Sequence, residues 1–84
     1  MSSNLGMDIK KLVGTNVRNY RLAAELSQEA VGVKMGVDRA YIGAIERGEQ
    51  NITLHSLWGL CEALGVRPRD LFDETALDNT GGAS

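Results

Sequence analysis

Residues 27–48 read SQEAVGVKMGVDRAYIGAIERG, and this stretch decides the fold. The Ser27 hydroxyl can accept from the amides of a following turn, and Glu29 is an acid in that turn, so a helix is expected to start here and run to Met35. Gly36 fits a left-handed helix end. Asp38 is the next cap candidate and opens a third helix over residues 39–47, which Gly48 ends. Only Gly36, Val37 and Asp38 separate these two short helices.

A turn that short, with glycine at its start, makes two helices cross steeply, which is the helix-turn-helix arrangement. Upstream, Ile9, Leu12, Val13, Val17, Tyr20 and Leu22 recur at helical spacing and predict a first helix over about residues 7–24. Asp8 suits its first turn, and Gly14 is an imperfection in it. Downstream, Thr53 caps a fourth helix over residues 54–64, with Leu54, Leu57, Cys61 and Leu64 as its inward stripe and Gly65 at its end. Pro68 suits the first turn of a short fifth helix ending near Phe72. The expected fold is all-α, five helices without strands. Residues 1–6 form a flexible N-terminus, residues 7–72 the domain, and residues 73–84 an acidic, then Gly-rich, flexible tail.

With 84 residues the chain is a single domain, too short for the pocket and scaffold of most enzymes. Its 43% hydrophobic and 24% charged content is ordinary for a globular protein. No apolar run approaches the ~20 residues that cross a membrane, and the N-terminus lacks a signal-peptide core, so the cytoplasm is the expected compartment. Cys61 is the single cysteine and reads as a small buried thiol. His55 reads as a surface residue with no partner at a metal or catalytic spacing. No nucleophile–base pair, metal cluster or phosphate loop is evident, so no catalytic residue, metal or cofactor is expected. The net charge of −2 opposes nucleic-acid binding, but the acid is unevenly placed. Residues 1–52 hold seven Lys/Arg and six Asp/Glu, whereas residues 53–84 hold two and five.

On the third helix, Ile42 and Ile45 face the core, which sends Arg39, Ala40, Gly43 and Ala44 to the opposite face. An arginine among small residues can enter a DNA major groove closely. Arg39 can donate two hydrogen bonds to a guanine edge, Ala40 or Ala44 can touch a thymine methyl, and Tyr41 can reach a phosphate or base edge. Lys10, Lys11 and Arg18 read as solvated face. Arg47 reads equally well as a helix-end charge or a phosphate ligand.

Residues 27–48, together with the following EQNITLHSLWGLCEALGV, resemble the Cro and repressor helix-turn-helix family, also called the xenobiotic response element family. The resemblance spans about residues 9–72. Within the family it is nearest to restriction-modification controller proteins, which share an Asp-Arg-x-Tyr-Ile opening of the recognition helix, here from Asp38 to Ile42. It implies a compact lambda-repressor-like domain that binds double-stranded DNA as a homodimer. It further implies that Gln28 grips the DNA backbone, that Gln50 and Asn51 make other backbone contacts, and that Arg21 and Glu46 form an internal salt bridge. The family often dimerises through its C-terminal region. Trp58, at the edge of the fourth-helix stripe beside Gly59, either completes the core or seeds that interface, and Leu71 and Phe72 extend it. Four departures stand out. Gly32 replaces the usual Ala and should loosen the second helix by up to ~1 kcal/mol. Gly43 and Ala44 offer no polar group in mid-helix, and Glu49 is acidic in a loop that is often basic.

The resulting expectation is a sequence-specific transcriptional regulator on a two-half-site operator, controlling its own expression. The alternative is a protein-binding module, an antiactivator or antitoxin, motivated by the net charge, Trp58 and the small residues Gly43 and Ala44.

Overall fold

A computed structural model describes residues 8–76. It contains five helices: α1 (Ile9–Ala23), α2 (Gln28–Met35), α3 (Arg39–Glu46), α4 (Leu54–Leu64) and α5 (Pro68–Leu71), and no strand among the described residues. Segment 1–6, expected to be flexible, lies outside those residues, as does the tail beyond Ala76.

The helix ends follow local chemistry. Asp8 is the N-cap of α1 rather than part of its first turn, its carboxylate accepting from the Lys10 and Lys11 amides at 3.0 and 3.4 Å. Ser27 Oγ accepts from the Ala30 amide at 2.9 Å, and Thr53 Oγ1 from the Ser56 amide at 3.0 Å. Asp38 occupies the N-cap position of α3 without a side-chain cap bond. Gly36 ends α2 at φ 75°, in the left-handed region where a Cβ is strained, and its amide returns to the last turn.

α3 packs against α2 on one side and α1 on the other, α4 lies behind α2, and α5 closes on α1. The core between them holds Val13, Val17, Val31, Ile42, Ile45, Leu57, Leu60, Cys61, Leu64 and Leu71. The α4 stripe therefore runs Leu57, Leu60, Cys61, Leu64. Leu54, expected in it, is 83% exposed, because its first-turn position overhangs the core. Ile9 and Leu22 are likewise half exposed at the two ends of α1. Burial pushes the Cys61 thiol above its ordinary value, with Asp70 and Glu62 adding to the shift against a backbone hydrogen bond, so the thiol stays protonated and inert.

Two glycines first read as helix weaknesses are packing requirements. A Cβ on Gly14 would strike the carbonyl oxygens of Ile45 and Glu46, so α1 and α3 touch backbone to backbone. A Cβ on Gly32 would sit 2.5 Å from the Val37 carbonyl, where the turn folds back on α2. Gly32 thus fits the tight turn rather than merely loosening the helix.

The domain also extends past the boundary expected at Phe72. The buried Asn16 amide is shared among the carbonyls of Leu12 (3.2 Å), Leu71 (3.0 Å) and Asp73 (3.0 Å). The Thr75 hydroxyl and amide both bond Asp73 Oδ1, holding that carboxyl below its ordinary range, and Ala76 is buried. No helix among the described residues is long and apolar enough to cross a membrane.

Candidate nucleic-acid interface

The outer face of α3 is built by subtraction. Ile42 and Ile45 are completely buried, which fixes the rotation of the helix and leaves Arg39 and Ala40 exposed at its start and Ala44 half exposed a turn later. Arg39 presents a planar fork of donors on an open surface, a geometry matched to a guanine edge or a phosphate. Gly43 lies on the same side but is buried beneath Gln28 and Arg47. It supplies room there instead of a contact, which corrects its expected place as a surface residue.

Tyr41 is half-buried against the core, and its hydroxyl lies 3.2 Å from Ser56 Oγ on α4. The ring thereby ties α3 to α4 in addition to flanking the outer face.

A buried polar network holds α3 to its neighbours. Arg21 Nε donates to Glu46 Oε2 at 2.6 Å and Nη2 to Glu46 Oε1 at 3.1 Å, with both side chains under 10% exposed. Arg21 Nη1 donates to the Leu26 carbonyl at 2.9 Å. Gln28 Nε2 donates to Glu46 Oε1 at 3.1 Å. The Glu46 carboxylate thus anchors α1 through Arg21 and the first residue of α2 through Gln28, while Arg21 itself holds the α1–α2 turn. The hydrogen bonds to Glu46 raise the Arg21 pKa further, outweighing desolvation, so the guanidinium stays charged. Arg18, more than half exposed, approaches Glu46 at 3.9 Å.

Gln50 and Asn51 stand apart from Gln28 and Arg39. They line an apolar groove between the starts of α1 and α4, with Ile9, Ile52, Leu54 and Phe72. Trp58, 53% exposed, lies outside that groove, beside Met35, Val37 and Ala63, so it does not complete the core. Phe72 is 41% exposed, but Leu71, expected beside it at a partner surface, has no exposed area. α5 turns Leu71 into the core and Phe72 out, a consequence of its docking on α1. Leu71 is a core residue and cannot meet a partner.

Packed α2 and α3, a three-residue turn between them and an exposed outer face of α3 define a helix-turn-helix protein. The chain belongs to the helix-turn-helix family, whose pattern matches residues 17–71. It is similar to the control protein C.SmaI of Serratia marcescens, with 42% identity over 76 residues, 90% of each chain. It also resembles the crystal structure of the restriction-modification controller protein C.AhdI from Aeromonas hydrophila. There the TM-score is 0.72 at 40% identity, covering 75% of this chain and 91% of the other. A further structural relative is the controller protein C.Esp1396I, solved as a tetramer in complex with its natural 35 base-pair operator. Its TM-score is 0.70 at 30% identity, covering 83% of this chain and 91% of that one.

Proposed function

We propose that this chain is a sequence-specific, double-stranded-DNA-binding transcriptional regulator. It acts in the cytoplasm by binding rather than by catalysis, as a homodimer on a two-half-site operator upstream of its own gene. The carrying observation is the exposed α3 face that starts at Arg39, held in register with Gln28 by the buried Arg21–Glu46 pair. The operator-bound C.Esp1396I relative supports the same reading. Arg39 reads a base, Ala40 and Ala44 allow close approach, and Gln28 meets the backbone. Tyr41 contacts the DNA at the edge of the face, while Gln50 and Asn51 add backbone contacts farther out.

Arg39→Ala is expected to weaken binding to the chain's own upstream DNA by at least tenfold. This corresponds to the ~1–3 kcal/mol carried by a bidentate base contact. A gel-shift titration against that DNA, with a scrambled duplex as competitor, measures it. Equal binding of both duplexes by the wild type would reject sequence-specific regulation. Failure to bind either duplex at low salt would favour a protein partner instead.

The homodimer is proposed to form over the exposed side of α4, where Leu54 and Trp58 lie a turn apart, with Phe72 at its margin. Buried aromatic anchors carry ~2 kcal/mol or more of an interface, so Trp58→Ala should raise the dimer dissociation constant by roughly 30-fold. Sedimentation equilibrium gives the constants. An unchanged constant places the interface elsewhere.

A further inference from the structure

The guanidinium of Arg47 does not simply trail from the end of α3. A side chain at Gly43 would begin 3.1 Å from Arg47 Nη1 and 3.4 Å from Gln28 Oε1. The tip of Arg47 therefore folds back over Gly43, into space that any larger residue would claim, beside the amide of Gln28. On its other side, Arg47 Nε lies 3.1 Å from Glu49 Oε1. Both side chains are well over half exposed (60% and 58%), so the pair adds little to stability and is readily exchanged for another anion.

We propose that Arg47 is a phosphate-contacting residue of the DNA interface and that Glu49 is its internal counter-ion, which the DNA backbone must displace. This rests on the proposed DNA-binding function and adds to it a built-in brake on affinity. Gly43, the small residue that removes a polar contact from mid-helix, is the opening through which Arg47 reaches the face. Glu49 holds the guanidinium in place in the free protein and competes with phosphate for it. A contact to phosphate carries no sequence information, so the brake acts alike on specific and non-specific DNA.

The test uses fluorescence-anisotropy titrations of the full chain on two duplexes, its own upstream DNA and a scrambled control, over a range of salt. Arg47→Ala should weaken binding to both by on the order of tenfold. It should also flatten the dependence of log affinity on log salt by about one unit, the signature of one lost phosphate contact. Arg47→Lys should keep most of that salt dependence. Glu49→Gln should strengthen binding to both duplexes about two- to fivefold, and this gain should vanish in the Arg47→Ala background. Circular dichroism checks that each variant retains its helices.

A loss confined to the upstream duplex would make Arg47 a base reader and overturn the phosphate assignment. An equal gain from Glu49→Gln with or without Arg47 would reduce Glu49 to general repulsion. Arg39→Ala separates the two levels. If it abolishes specific binding while Arg47→Ala changes nothing, this proposal falls and the regulator stands. If the wild type binds neither duplex, both fall.

Discussion

Glu46→Ala is expected to destabilise the domain by about 3–5 kcal/mol, because it strands a buried charge. Arg21 would keep its bond to the Leu26 carbonyl and lose both contacts to the carboxylate. At under 10% exposure its guanidinium has little water to turn to. Gln28 would lose its bond to Glu46 Oε1 as well. A domain of this size has only ~5–15 kcal/mol in total, so a large fraction would be lost. The melting temperature should fall by more than about 12 °C. Urea unfolding followed by circular dichroism measures it, and a loss under about 1 kcal/mol would show that the pair contributes little more than a surface bridge. The double variant Arg21→Met/Glu46→Leu should recover much of the stability, since replacing both charges removes the stranded one. It should not recover DNA affinity, because Gln28 would still lack its brace.

Gly14→Ala is the second large effect, and its sign opposes intuition about helices. Alanine in a helix interior is favoured over glycine by about 1 kcal/mol. Here the added methyl would meet the Ile45 and Glu46 carbonyls, the second at 2.8 Å. Backbone oxygens cannot rotate away as a side chain would, so α1 and α3 must separate. Such overpacking costs about 1–3 kcal/mol and here exceeds the gain in propensity. Because Glu46 is itself one of the displaced residues, the Arg21 pair would be stretched too. We expect a net loss of about 1–2 kcal/mol. Gly59→Ala serves as the comparison. Its methyl would meet only the flexible end of Met35, at 3.3 Å, so this variant should be neutral or slightly stabilising. Parallel melts of the two variants decide the matter, and equal effects would mean that the close contact between α1 and α3 is not energetically important.

These two sites also show which parts of the molecule were legible in the sequence. Ser27, Thr53, Gly36 and Pro68 act within a turn of themselves, so the helix ends could be placed from local chemistry. The helix-turn-helix pairing of α2 and α3 followed from three residues between two such ends. The features that escaped depend on distant partners. Gly14 looks like a weak point until α3 is laid against it, and Gly32 does so until the turn folds back. Leu71 and Phe72 are adjacent and both apolar, so only the docking of α5 on α1 tells the buried one from the exposed one. Leu60 is buried and Leu54 exposed, alternatives that differ by a small rotation of α4 and that spacing alone does not separate. A polar residue on a helix such as Asn16 has no role legible in the sequence until its acceptors arrive from residues 71 and 73. On the outer face of α3, the exposure of Arg39 could be read from its position alone. The covering of Gly43 by Gln28 and Arg47 could not, because it depends on side chains from two helices converging.

The Asn16 amide bears on how long each copy of the regulator survives. By bonding carbonyls on both α1 and the segment after α5, it joins the first helix to the last described turn. Separating α1 from the segment after α5 exposes this buried amide and the core beneath it, which couples the opening of the two. Proteases that act on the opened chain therefore sample it in proportion to global unfolding. In a regulator of the kind proposed, that one side chain would couple folding stability to clearance, and hence to the time a cell needs to reset operator occupancy.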